Sequence, residues 1–114
     1  MADHISITPA TGTWVVRVAG AVLGESKNAL ILREGDYPEV IYFPRADIAM
    51  AFLDKSDKTA SCPHKGDATY FAIEAKSGVI PDAVWSYETP RKDAAAIAGH
   101  LAFVEGEKVA VEQL

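Results

Sequence analysis

The sequence offers very little cysteine chemistry. Cys62 is the single cysteine among 114 residues, which excludes an intrachain disulfide and a zinc site built from pairs of cysteines. Secreted domains of this size often depend on disulfides, so a reducing compartment suits this chain better. The sequence therefore predicts a cytoplasmic protein.

Long hydrophobic runs are also missing. A membrane-spanning helix needs about 18 or more consecutive apolar residues, and the chain has no such stretch. Residues 1–12 contain Asp3, His4 and Pro9, which interrupt the continuous apolar segment that an export signal requires. We therefore expect neither a membrane span nor a signal peptide.

Positive charge is scarce and scattered. The formal net charge is -5 and the sequence pI is about 5.1, so the overall field repels phosphate backbones and anionic membrane surfaces. The lysines and arginines form no run interleaved with aromatic residues. The sequence predicts no nucleic-acid partner and no membrane partner.

What is present is typical of one globular domain, which we predict to span residues 1–114. Hydrophobic residues make up 49% of the chain and charged residues 24%, a balance that allows a single core at this length. Apolar runs bounded by turn residues predict short strands. These strands are expected at 14–18, 21–23, 28–33, 40–43, 68–75, 79–87, 101–104 and 108–111.

Two short helices are predicted between the strands. Helical spacing places the first near residues 47–53, and a Thr89 cap followed by Pro90 places the second near residues 90–98. Residues 54–58 are predicted to form a surface loop and residues 61–66 a turn. Because hairpin-length links dominate, the fold class is a mostly β, antiparallel domain, with the last two strands pairing as a hairpin.

Several segments resemble the bacterial domain-of-unknown-function family 427. They are Tyr42-Phe-Pro44, Thr59-Ala-Ser-Cys-Pro-His-Lys-Gly66 and Ala83-Val-Trp-Ser-Tyr87, and the resemblance covers nearly the whole chain. It implies a β-tent-like fold of two splayed sheets whose signature residues line a cleft. His64 departs from the resemblance, because the family usually has Tyr or Trp at that position.

The resemblance also brings a nucleotidyltransferase-like label. That chemistry needs a phosphate-binding glycine-rich loop or paired metal-binding aspartates, and the sequence has neither. We therefore give the label no weight.

Lys65, Gly66 and Arg45 are candidates for binding an anion. Lys65 offers a cation, Gly66 lets backbone approach a ligand closely, and Arg45 offers a guanidinium with fork geometry. The alternative is that both cations are solvated surface residues and that Gly66 supplies only a positive φ.

Cys62, Lys65 and Glu34 are the candidate catalytic residues, for a reaction that the sequence does not identify. A cation near Cys62 would favour the nucleophilic thiolate, and Glu34 is either a general base or the ion-pair partner of Lys65. The alternative for Cys62 is a small buried hydrophobic residue.

Flat side chains are candidates for the walls of a binding site. Aromatic rings with polar tips are typical of small-molecule pockets, although these rings also suit the core of a sheet. The candidates are Tyr42, Tyr70, Trp85 and Tyr87, with His64 as a further flat ring. No metal site is predicted, because the spacing of His4, His64, His100 and Cys62 matches no known ligand pattern, and no cofactor is predicted.

Two hypotheses of different classes follow. The first is a domain, or an enzyme of undefined reaction, that binds a small anionic molecule through Lys65 and Arg45 between aromatic walls. The alternative is a non-catalytic protein-interaction domain that recruits a partner through a sheet edge or the cleft. Thiol chemistry at Cys62 is a third reading, and the sequence leaves homo-oligomerisation open.

Overall fold

Antiparallel strands build most of the protein. The computed structural model describes residues 4–114, so residues 1–3 of the predicted single domain, including Asp3, lie outside the described part. Within 4–114 there are ten strands. They are β1 (Ile5–Pro9), β2 (Trp14–Val18), β3 (Ala21–Ser26), β4 (Leu30–Glu34), β5 (Val40–Tyr42), β6 (Leu53–Cys62), β7 (Gly66–Ala75), β8 (Gly78–Tyr87), β9 (Ala102–Phe103) and β10 (Val109–Gln113).

The strands pair into three open sheets with the orders β1-β4-β5, β10-β2-β3 and β6-β7-β8-β9. Every pairing is antiparallel, as the short links predict. Two reciprocal backbone hydrogen bonds between Phe43 and Leu101, of 2.8 and 2.9 Å, join the first sheet to the third. The mostly β, antiparallel class is confirmed. The predicted pair of splayed sheets is not confirmed, because the pairing gives three sheets.

Two hairpins form where short links join consecutive strands, and turn chemistry explains both. Ala19 and Gly20 connect β2 to β3 with φ of 50° and 86°, the pair of positive angles that matches the twist of a tight hairpin. Gly78 follows the two-residue turn between β7 and β8 with φ of 124°, an angle that disfavours any side chain.

Apolar side chains form two cores on opposite faces of the four-stranded sheet. One face, with Phe71, Ile73 and Val84, packs against the β10-β2-β3 sheet. The other face contributes Ala68 and Tyr87 to a second core with Leu32 and Tyr42 of the β1-β4-β5 sheet. Because successive side chains of a strand point to opposite faces, β7 and β8 hold the two outer sheets together.

The two predicted helices occur only as 3-10 turns, at Arg45–Asp47, Met50–Phe52 and Lys92–Ile97. Ile48 breaks the first helical pattern, because its backbone is extended and forms a bridge with Gly24. Asp47 accepts a hydrogen bond of 2.6 Å from Ser26 instead of serving a helix terminus. In the last segment Ala94 has a non-helical φ of -118°.

Two further expectations were wrong. Residues 54–58 are part of strand β6 rather than a loop, because an edge strand is held by backbone pairing and needs no apolar face. The C-terminal strands do not pair with each other: β9 pairs with β8 and β10 pairs with β2. Each of these strands pairs with the edge strand of a different sheet, because a short link between two strands does not force them to pair with each other.

Strand β1 was not predicted, although Ile5 and Ile7 alternate with polar residues.

Within residues 4–114, helices with the length and hydropathy to cross a membrane are absent.

Gly24 is the tightest backbone contact between β3 and the segment after β5. A Cβ at this position would lie 2.6 Å from the Asp47 carbonyl oxygen and 2.5 Å from Ile48 Cδ1. We predict that Gly24→Ala lowers the free energy of unfolding by about 1–3 kcal/mol, measured by urea denaturation. Gly106→Ala is the control, because its Cβ would meet nothing within 4 Å. Equal stability of the two variants would contradict the packing described here.

Candidate functional site

A cleft of about 820 Å³ lies between the β1-β4-β5 sheet and the four-stranded sheet. Strands β4 and β5 and their connection form one side, and β6, β7, β8 and the turn between β6 and β7 form the other. This volume is typical of sites for small molecules. The lining residues are Leu32, Glu34, Tyr37, Pro38, Val40, Tyr42, Lys58, Cys62, Pro63, His64, Lys65, Tyr70, Asp82, Trp85, Tyr87 and Val104.

Tyrosine and phenylalanine side chains lie in different parts of the protein. All four tyrosines line the cleft, whereas none of the four phenylalanines does. Three of the phenylalanines, Phe43, Phe71 and Phe103, pack in the first core. Tyrosine adds a hydrogen-bonding hydroxyl to a flat apolar ring, so the cleft presents flat surfaces with polar tips.

The predicted contact between Glu34 and Lys65 is present at the floor of the cleft. Lys65 Nζ donates a hydrogen bond of 2.5 Å to Glu34 Oε1, and the two side chains are 14% and 9% exposed. Glu34 ends β4, while Lys65 lies in the turn between β6 and β7. The ion pair therefore connects the two sheets that form the cleft.

Burial and neighbouring charges shift the pKa values of Lys65 and Tyr87. Burial opposes the charge of Lys65, but the hydrogen bond to Glu34 and the neighbouring Tyr87, Cys62 and Glu34 outweigh it, so the pKa of Lys65 is raised. Burial raises the pKa of Tyr87, although the Lys65 charge partly opposes this effect. Lys65 is therefore an ammonium group at neutral pH, beside a neutral Tyr87.

Tyr42 and Trp85 join the two sides of the cleft through their side chains. Trp85 Nε1 donates a hydrogen bond of 3.2 Å to the Tyr42 hydroxyl, and the rings meet edge to face with centroids 6.4 Å apart. Burial raises the pKa of Tyr42 well above 10.0. Its hydroxyl therefore keeps its proton and can donate a hydrogen bond.

The predicted turn at residues 61–66 positions Lys65. Cys62 pairs with Gly66 across the turn, and the Arg91 N–H donates a bond of 2.9 Å to the Lys65 carbonyl oxygen. Gly66 has φ of 112°, and its Cα faces the backbone of Pro90 and Thr89 rather than the cleft. The role of Gly66 is thus conformational.

Two bulge-like irregularities in strand pairing coincide with charged residues that line the cleft. The register between β6 and β7 shifts between Lys55 and Thr59, where Lys58 lies. The register between β7 and β8 shifts between Phe71 and Ile73, opposite Asp82, whose φ is 50°. Bulges change the direction of a side chain and are frequent beside active sites.

Exposed Lys58 lies over the Tyr70 ring, with Nζ 4.5 Å from the centroid.

Most candidates from the sequence meet in this cleft, but Arg45 and Gly66 do not line it. The lining includes Glu34, Tyr42, Cys62, His64, Lys65, Tyr70, Trp85 and Tyr87. Arg45 donates a hydrogen bond of 2.7 Å to Glu88, its guanidinium lies 5.8 Å from the Phe71 ring centroid, and it is absent from the lining. Its predicted role beside Lys65 therefore has no support in the geometry.

Lys58, Asp82 and Tyr37 were missed as site residues. Lys58 lies in a polar stretch that lacks strand periodicity, so no pattern in the sequence identifies it. Pro81 before Asp82 was a usable signal, because proline within a strand pattern marks an edge or a bulge.

A second, smaller groove of about 470 Å³ lies beside the β2–β3 turn. Val22 and Phe52 line it and are 52% and 51% exposed. In the described part of the chain, His, Cys, Asp and Glu side chains form no group of three that could hold a metal ion.

Comparison with protein-family models matches residues 6–113 to a family described as Domain of unknown function (DUF427). This match confirms the resemblance seen in the sequence. Comparison with curated proteins gave no significant match.

The Glu34–Lys65 pair is expected to couple the two sides of the cleft. We predict a coupling energy of about 1–3 kcal/mol from a double-mutant cycle of Glu34→Gln and Lys65→Met, because each single variant leaves a shielded polar partner unpaired. Urea denaturation measures it. The reference is the exposed Arg17–Glu112 pair, for which about 0–1 kcal/mol is expected. Equal coupling in the two cycles would show that the cleft pair is only a surface contact.

Stability should fall at alkaline pH. The pKa of Lys65 is raised above 10.5, so its contribution is complete below that pH and is lost as the pH rises through the higher folded-state pKa. The pKa values of Tyr42 and Tyr87 are raised above 10.0, so ionising them also opposes folding at higher pH. We predict a falling free energy of unfolding above pH 10.0, with a smaller fall in Tyr87→Phe. Chemical denaturation at several pH values measures it, and a flat profile would contradict this electrostatic account.

Proposed function

We propose that the chain, which belongs to the family described as Domain of unknown function (DUF427), binds a small, flat, anionic molecule. The proposal comes from the cleft, because membership of this family names no activity. The observation that carries this proposal is the tyrosine-lined cleft with a shielded Glu34–Lys65 pair at its floor. Folded proteins rarely keep charged groups shielded from water unless these groups are paired or used. The cleft between two joined sheets also suits the tent-like architecture that we propose for the fold.

Aromatic side chains would hold the flat part of the ligand. Tyr70 and Trp85 are partly buried on neighbouring strands of one sheet and present their rings to the cleft, with the buried Tyr87 and Tyr42 beside them. The bond between Trp85 and Tyr42 fixes two of these rings before any ligand arrives. Preorganised walls lower the entropy cost of binding.

Lys58 would bind the anionic group at the rim. It is exposed and lies over Tyr70, whereas Lys65 is already paired with Glu34. The charges of Lys58 and Lys65 balance those of Glu34 and Asp82, so the net charge of -5 belongs to the rest of the protein. The charged residues that line the cleft therefore leave no net negative charge to repel an anion.

A protein-interaction domain is the second candidate. The observation that favours it is the half-exposed pair of Val22 and Phe52 beside the smaller groove. That groove contains no charged pair comparable to Glu34–Lys65 among its lining residues, so the larger cleft supports the first candidate better.

The test uses 2-naphthoate, a flat monoanion, with NMR detection of the two tryptophan indole N–H groups. We predict that 2-naphthoate shifts the indole resonance of Trp85, which lines the cleft, and leaves that of Trp14, which lies on the β10-β2-β3 sheet. Lys58→Met should weaken binding about two- to fivefold, the scale of one exposed ion pair.

Lys55→Met is the matched control, because Lys55 lies on the same strand but does not line the cleft. Two results would count against a cleft site for anions. One is binding that shifts neither indole resonance, and the other is an equal loss of affinity in Lys55→Met and Lys58→Met.

A further inference from the structure

We propose that the floor of the cleft recognises a neutral amide-type edge, with a hydrogen-bond acceptor beside a donor, rather than the anionic group of the ligand. This inference rests on the proposed function, because it specifies which part of the ligand reaches the floor of the same cleft. It assigns Glu34 and Lys65 a shared recognition role.

The floor presents donors and an acceptor side by side. Lys65 has three N–H donors, of which one bonds to Glu34 Oε1. Glu34 Oε2 accepts no hydrogen bond from residues 4–114, and both side chains line the cleft. The Tyr42 hydroxyl accepts the indole N–H of Trp85 and has its own proton to donate. A ligand edge that pairs with this floor must therefore contain both an acceptor and a donor.

Charge selects against an anion at this position. A carboxylate that accepted a hydrogen bond from Lys65 at about 3 Å would also lie close to the Glu34 carboxylate, because the Lys65–Glu34 bond is only 2.5 Å long. Attraction to Lys65 and repulsion by Glu34 then largely cancel, while the anion still loses its hydration. A neutral amide loses less hydration and bonds to both partners.

The side chains around the floor determine which other groups the ligand must have. Flat rings lie against Tyr70 and Trp85, which are only partly buried, and Lys58 is the exposed cation beside Tyr70. The ligand class is therefore a flat aromatic or heteroaromatic carboxamide, or a ring lactam, with an anionic substituent at the opposite end.

The test compares probes that share one ring and one rim anion. They are 6-carbamoyl-2-naphthoate, its N,N-dimethyl amide, 2-naphthoate and 2,6-naphthalenedicarboxylate, titrated into the wild-type protein and followed at the Trp85 indole resonance. We expect the primary amide to bind at least about fivefold more tightly than 2-naphthoate. The dimethyl amide, which lacks the donor, should lose this gain, and the dicarboxylate should bind most weakly.

Glu34→Gln tests the charge argument separately, since removal of the negative charge leaves the Lys65 ammonium unopposed. The dicarboxylate should then bind more tightly than 2-naphthoate. Glu39→Gln is the control, because Glu39 is also in an ion pair but is exposed and outside the cleft.

The outcomes separate the two proposals. If the dicarboxylate binds wild type more tightly than the amide, the floor is an anion site and this inference is wrong, while the proposed function stands. If 2-naphthoate and the amide both leave the Trp85 resonance unchanged, the proposed function fails, and the inference fails with it.

Discussion

The ion pair between Glu34 and Lys65 is the interaction on which the architecture of the cleft depends. The two sheets that enclose the cleft share backbone hydrogen bonds at Phe43 and Leu101, and the Glu34–Lys65 pair connects them again through side chains. Removing one partner would leave the other charge shielded and unpaired, which is costly. The pair therefore holds the sheets together and gives the floor of the cleft its polarity.

The remaining parts of the cleft follow from how β-strands direct their side chains. Strands β7 and β8 carry apolar side chains on both faces, with buried Phe71 and Val84 on the core side and partly buried Tyr70 and Trp85 on the cleft side. Bulges in β6 and β8 break this alternation near Lys58 and Asp82. Regular pairing thus builds the walls, and irregular pairing supplies the charges at the rim.

Much of this arrangement could be predicted from the sequence, because local patterns carry it. Alternating apolar residues identified β2, β7 and β8, and the turn around Pro63 and Gly66 identified the segment that carries Lys65. Strand β6 was missed because an exposed edge strand needs no apolar periodicity. The helix at 47–53 was wrong because the bridge between Ile48 and Gly24 is a long-range contact that overrides local propensity. The contact of Arg45 with Glu88, 43 residues away, is likewise long-range and could not be predicted from local patterns.

The most direct test of the central claim is a crystal structure of the protein with 6-carbamoyl-2-naphthoate. We expect the ring to lie against Tyr70 and Trp85, the carboxylate near Lys58, and the amide within hydrogen-bonding distance of Lys65 Nζ and Glu34 Oε2. A structure with the carboxylate against Lys65 would contradict the proposed role of the floor. A probe bound only in the groove beside Val22 and Phe52 would contradict the cleft as the ligand site.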